Sequence, residues 1–213
     1  MNKRETAPKS PEVAFLCNAD ARLMYAINTV GNLKYKLHDD PYVFLVETII
    51  GQMLSNKVAD VITERLVALC HGSISISEIS MLRIDSLRKI GISRAKAEYI
   101  LSFTEHVESH AAFFESLKYL SDAEVMKTLM EIRGIGSWSA KMYLIFVLDR
   151  KDILPYEDVA FKQAFCWLYR MQNVSNSEIE KICKCWRPYT SLATRYLYRL
   201  LDSGATKEPP PAI

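Results

Sequence analysis

From Val43 onward, apolar residues fall at helical spacings almost without interruption. Val43, Val46, Ile50 and Met53 recur at intervals of four or less and trace one buried face. That segment opens on Asp40-Pro41, a capping residue before a proline at the first helical position. Val58, Ile62, Leu66 and Leu69 carry the period into a second helix. Ser93 is placed to cap RAKAEYILSFTEHV, and Ser121 to Glu124 forms a capping box ahead of Val125, Leu129 and Ile132. Ile179, Ile182 and Trp186 mark a further amphipathic helix, stopped by Pro188. The one strand-like piece, SISIS at 73–77, is short and Ser-rich and reads as a loop. The class is all-α. Residues 1–12, polar with two prolines, and 205–213, ending KEPPPAI, read as tails around a domain at 13–204.

Composition adds bounds more than directions. A chain of 213 residues suffices for one domain or two closely packed lobes, and 49% hydrophobic against 24% charged residues excludes wholesale disorder. The net charge of +2 is too small to argue for a nucleic-acid partner. Its distribution says more: between Arg170 and Leu200, Arg170, Lys181, Lys184, Arg187, Arg195 and Arg199 stand against only Glu178 and Glu180. Such a run suits either an anionic partner or a solvated helix surface. The five cysteines form no paired framework, and Cys183 and Cys185, two apart, lack the second pair of a zinc or iron–sulfur set. No stretch resembles a signal peptide or approaches the roughly 20 apolar residues of a membrane span. The expected setting is intracellular and reducing, away from membranes.

Candidate chemistry concentrates in LMEIRGIGSWSAKMYLIFVL, Leu129 to Leu148. Two helices meet at Gly134-Ile135-Gly136, where glycines tolerate positive φ and let another backbone come close. Ile135 is placed to plug this turn into the core. The next helix begins near Ser137, and its unpaired N–H groups and positive dipole end suit a phosphate oxygen. A GxG between helices is common by itself. Twenty residues on, Leu154-Pro-Tyr-Glu-Asp158 leads into VAFKQAFCWLY, which puts Asp158 at a helix N-terminus. It is either a plain N-cap or a carboxylate kept charged by the dipole to face a developing positive charge.

With these segments in place, the chain resembles the helix-hairpin-helix DNA glycosylase superfamily from about Pro41 to about Leu201, and within it the bacterial 3-methyladenine DNA glycosylase II branch and its shorter relatives. Gly51-Gln-Met-Leu-Ser55, Ile132 to Tyr143, Leu154 to Phe165 and Trp186-Arg-Pro-Tyr-Thr-Ser191 carry the match in order. The resemblance implies a two-lobed helical fold with the hairpin and the aspartate beside the interlobe cleft. It implies Asp158 as the catalytic aspartate, and Gln52 and Met53 as the wedge entering the duplex. Gly134 and Gly136, with Ser137, Arg133 and Lys141, are the implied phosphate contacts. Trp138, Tyr198 and Met142 line the base pocket, and the carbonyls of Met130, Ile132 and Ile135 can hold a monovalent cation. No other cofactor is required, and the four-cysteine iron–sulfur cluster of the endonuclease III branch is absent.

Three departures stand out. Arg133 stands where the hairpin usually has proline, which adds a phosphate contact but loosens the turn. Met142 stands where this branch has an aromatic and Arg199 where an aromatic is expected beside Tyr198, and these two bear on substrate range. Members that also nick the strand carry a lysine just after the hairpin; here that place is Trp138, which cannot form a Schiff base. The expectation is a monomeric, monofunctional enzyme acting on duplex DNA, excising 3-methyladenine- or 7-methylguanine-type bases and leaving an abasic site. The competing readings are a glycosylase for another lesion, a non-catalytic helix-hairpin-helix DNA-binding protein, and a helical protein unrelated to DNA.

Overall fold

A computed structural model describes residues 3–6 and 10–209 and confirms the helical class. In chain order the elements are β1 (Lys3–Thr6), α1 (Pro11–Ala19), α2 (Ala21–Val30), β2 (Leu33–Lys36), α3 (Pro41–Gly51) and α4 (Asn56–Leu69). Then come α5 (Ile76–Ser80), α6 (Ile84–Lys89), α7 (Arg94–Ser109), α8 (Phe113–Leu117), α9 (Asp122–Met130) and α10 (Ser137–Phe146). The last three helices are α11 (Val159–Tyr169), α12 (Asn176–Cys183) and α13 (Thr190–Asp202), with short 3-10 turns at Lys184–Trp186 and Ala205–Lys207. The chain divides into two compact units: residues 38–148 form one, and both ends of the chain, 1–37 and 149–213, form the other.

In the middle unit the predicted caps hold. The Asp40 carboxylate accepts from the N–H groups of Tyr42 and Val43 at 2.9 and 3.0 Å, Ser93 accepts from Lys96, and Ser121 and Glu124 close the capping box. The buried face of α3 is Tyr42, Leu45, Val46, Ile49 and Ile50. Met53 and Val58 are not part of any buried face; both are exposed, because α3 stops at Gly51 before the period reaches Met53. Tyr42 stacks on Phe103 of α7 with ring centroids 5.5 Å apart, and its hydroxyl shares a 2.8 Å hydrogen bond with Thr104. The SISIS loop is only half a loop. Ser75 caps α5, which starts at Ile76 and buries Ile79.

The terminal unit is organised round Asp20. This residue caps α2, accepting from the N–H groups of Arg22 and Leu23 at 2.9 and 3.0 Å. Its second oxygen takes the Trp186 indole N–H at 2.8 Å and the Tyr169 hydroxyl. Four donors on one carboxylate tie α2 to α11 and to the turn after α12. Around them lies a core of Leu16, Leu23, Ile27, Phe161, Phe165 and Leu197.

Neither end of the chain is wholly a tail. Ser10-Pro11 is the same cap-then-proline signal as Asp40-Pro41, and Ser10 accepts from Val13 N–H to start α1. Strand β1 pairs antiparallel with β2, Lys3 opposite Lys36 and Thr6 opposite Leu33. Four residues of LKYK alternate too briefly to announce a strand. The Arg4 guanidinium reaches Asp149 at 3.4 Å, and Tyr35 lies 3.9 Å under the Arg195 guanidinium, so distant residues hold this ribbon. At the other end Trp167 donates its indole N–H to the Glu208 carbonyl at 2.7 Å. Residues 1, 2, 7–9 and 210–213 of the expected tails lie outside the described residues.

The two N-cap aspartates should differ in cost. Asp40→Ala removes a cap alone and should destabilise by about 1 kcal/mol. Asp20→Ala also strands the Trp186 and Tyr169 donors in the interior and should cost about 3 kcal/mol or more. Urea denaturation of both variants checks this; equal midpoints would remove Asp20 from its central place.

Candidate functional site

The hairpin between α9 and α10 takes its shape from one glycine. After Met130 the chain turns through Ile132, whose carbonyl accepts from Ile135 N–H at 3.0 Å, and Ile135 is buried, as the sequence predicts. Gly134 has φ +93°, and a Cβ there would lie 2.5–2.7 Å from ring and Cβ atoms of Tyr99 on α7. No side chain fits. Gly136 differs: it is the N-cap of α10 in extended backbone, brings no side chain to that end, and has nothing within 4 Å of a would-be Cβ. It leaves the positive end of α10 approachable.

Arg133, expected to loosen the turn in place of proline, is accommodated by α7. Its guanidinium lies 5.3 Å over the Tyr99 ring and 3.9 Å from Glu98. No local signal marks the Tyr99 platform in the sequence, where it is one more aromatic in an amphipathic helix. Ser137, Trp138 and Lys141 are half-buried on α10, and Met142 is buried in it.

The two wedge candidates have different surroundings. Met53 is fully exposed with φ +59°, a left-handed conformation uncommon for a non-glycine residue, so a core methionine is ruled out. Gln52 turns back: its amide donates to the Gly134 carbonyl at 2.8 Å and to Ser139 Oγ at 3.4 Å. Met53 and the hairpin turn thus belong to one hydrogen-bonded piece.

Asp158 and Tyr198 lie in the terminal unit. Asp158 caps α11, with Oδ1 accepting from Phe161 N–H at 2.7 Å, and only 9% of the residue is exposed. The Tyr198 hydroxyl donates to this carboxylate; burial foremost, then the Asp158 charge, pushes the phenol's pKa far up, so it stays a donor. Forty positions separate the two, and no local signal linked them. Arg195, one turn before Tyr198 on α13, is buried and pairs with Asp149 at 3.4 Å.

That pairing dissolves much of the basic run seen in the sequence. Besides Arg195, Arg199 donates to the Lys34 carbonyl at 3.2 Å, and Arg187 lies 3.7 Å from Asp152. Among the described residues, no group of three or more His, Cys, Asp or Glu could hold a metal ion, and no helix is long and apolar enough to cross a membrane.

Several known proteins are similar to this chain. A protein of Bacillus subtilis named a putative DNA-3-methyladenine glycosylase is 28% identical over 76% of this chain, which spans 59% of that protein's length. The crystal structure of a DNA-3-methyladenine glycosidase from Bacillus halodurans superposes with a TM-score of 0.83 at 32% identity, covering 97% of this chain and 95% of that one. A 3-methyladenine DNA glycosylase of Schizosaccharomyces pombe, solved in complex with abasic DNA, gives a TM-score of 0.82 at 25% identity over 91% of this chain and 97% of that one. The model of the HhH-GPD superfamily of base excision DNA repair proteins matches residues 46–188, more than half of the sequence, and the chain belongs to that superfamily.

Proposed function

We propose that this protein is a monofunctional DNA glycosylase that hydrolyses the N-glycosidic bond of alkylated purines, of the 3-methyladenine and 7-methylguanine type, in duplex DNA. The observation that carries the reading is Asp158, a nearly buried carboxylate oriented by a helix N-terminus and by the Tyr198 hydroxyl. The names of the relatives point to the same substrate class. A base methylated on a ring nitrogen carries positive charge and leaves readily, so little acid catalysis is needed. What the reaction needs is a fixed negative charge facing the sugar as it becomes oxocarbenium-like, and Asp158 supplies it without having to reorganise. The C1′–N bond breaks with its electron pair going to the cationic base, which departs neutral; water then adds to the sugar and loses a proton, and an abasic site remains.

Reaching a base inside a duplex requires flipping it out. In this reading Met53 fills the space left behind, as apolar wedges do in other proteins that unstack DNA. The N-terminal end of α10, opened by Gly136, takes a backbone phosphate, with Arg133 and Lys141 adding charge. Trp138 receives the base, and a cationic purine over its indole gains roughly 0.5–2 kcal/mol. The Met130, Ile132 and Ile135 carbonyls are hard oxygen donors that suit an alkali cation beside the phosphate; the Ile132 carbonyl already accepts from Ile135 N–H, which leaves it one further lone pair. The enzyme works as a monomer inside the cell, on genomic DNA.

Asp158→Asn keeps the capping oxygen and removes the charge. Its thermal midpoint should stay near wild type while base release from methylated duplex falls by about a hundredfold or more. Turnover that survives this change makes Asp158 a cap only.

For phosphate binding the informative position is Gly136, since any side chain at Gly134 collides with Tyr99. Aspartate is a better N-cap than glycine, so Gly136→Asp should leave the protein equally or slightly more stable. Its carboxylate would occupy the phosphate place, and duplex affinity should drop about tenfold or more, for any sequence or lesion. Unchanged affinity in a binding titration puts the DNA elsewhere.

Incubation with lesion-containing DNA and borohydride should trap no covalent complex, the strand breaking only after alkali. A trapped complex that disappears in Lys141→Ala would overturn the monofunctional reading.

A further inference from the structure

Lys96 is the third residue of α7, where a positive charge opposes that helix's own dipole. Its position is explained by a neighbour. The ammonium donates to the Ile50 carbonyl at 2.7 Å and to the Gln52 carbonyl at 2.6 Å, at the C-terminal end of α3, where a cation is favoured. The next residue is Met53, fully exposed and left-handed at φ +59°. A non-glycine residue holds that conformation only when its surroundings impose it. Two short charge-assisted bonds to the carbonyl groups just before it are such an imposition. Partial burial lowers the Lys96 pKa, in keeping with an ammonium held against these carbonyls.

The same first turns of α7 also support the hairpin. Tyr99, three residues after Lys96, fills the space against Gly134, and Gln52 spans from the wedge loop to the Gly134 carbonyl. One helix end therefore carries both Met53 and the turn proposed to grip phosphate.

We propose that Lys96 is a positioning residue for base flipping: by clamping the Ile50 and Gln52 carbonyls to α7, it holds Met53 projecting, in fixed register with the Gly134 hairpin, before DNA arrives. The proposal rests on the glycosylase reading above. Preorganisation of this kind spares the complex the entropy of ordering the loop on binding.

The test is a mutant cycle with one 7-methylguanine lesion in two duplexes. In one the lesion is paired with cytosine; in the other it lies opposite an abasic site, where the pairing that the wedge must replace is already gone. Lys96→Met should cut excision from the paired duplex by about tenfold to a hundredfold, the scale on which a misplaced group acts. Opposite the abasic site the loss should be several times smaller. In a Met53→Ala background, Lys96→Met should add little further loss, since the clamp then has no wedge to aim. Lys96→Arg, which keeps charge and donors, should recover part of the activity and covers the case of a poorly folding Lys96→Met. Equal losses on both duplexes, or full additivity with Met53→Ala, would overturn the positioning role while leaving the glycosylase reading intact. Failure of the wild-type protein to release the base from either duplex would instead count against that reading.

Discussion

A Cβ on residue 134 would stand 2.5 Å from the Tyr99 ring, and the middle unit is arranged about that close approach. Backbone and aromatic face can meet so tightly only because the turn residue is glycine at positive φ. Once they meet, α7 becomes the support beneath the hairpin. Arg133 covers the ring from outside, Gln52 joins the wedge loop to the Gly134 carbonyl, and Lys96 clamps that loop one turn away. Gly136, two positions later and sterically unconstrained, is left to open the α10 N-terminus outward. The two hairpin glycines thus have different physical roles, one steric and one electrostatic.

The terminal unit uses carboxylates in a comparable double manner. Asp20 and Asp158 are both N-caps, and each accepts from a tyrosine hydroxyl on another element. Asp20 also receives the Trp186 indole and two main-chain N–H groups, and so joins three segments of the unit. Its contribution is to stability. Asp158 is the one proposed above as the catalytic carboxylate, and its held orientation is what electrostatic stabilisation of a cationic sugar requires.

Charge also changes meaning between sequence and fold. By spacing alone the basic run after Arg170 suits an anionic partner or a solvated helix surface. Yet Arg195 is buried against Asp149 and Tyr35, Arg199 is committed to a carbonyl, and Arg187 lies beside Asp152. The charge that suits DNA in the proposed reading is more local: a helix N-terminus and two side chains at the hairpin.

What could be read from the sequence alone was what depends on near neighbours. Helical periods, the caps at Asp40, Ser93, Ser121 and Asp158, and the Gly134–Gly136 turn each involve residues within a few positions, where spacing and side-chain chemistry suffice. The superfamily was legible too, because four such segments stand in order. The remainder was decided by tertiary structure. The β1–β2 ribbon is held by Asp149 and Arg195, more than a hundred residues away from it. Tyr198 meets Asp158 across forty positions, and Lys96 meets Gln52 across forty-four. Met53 continues the apolar period of α3 but leaves the core, because the helix ends at Gly51 and the chain there is drawn onto α7. Periodicity records which residues share a helical face while the helix lasts; where it stops, and what an exposed side chain then faces, is set by groups that only folding brings near.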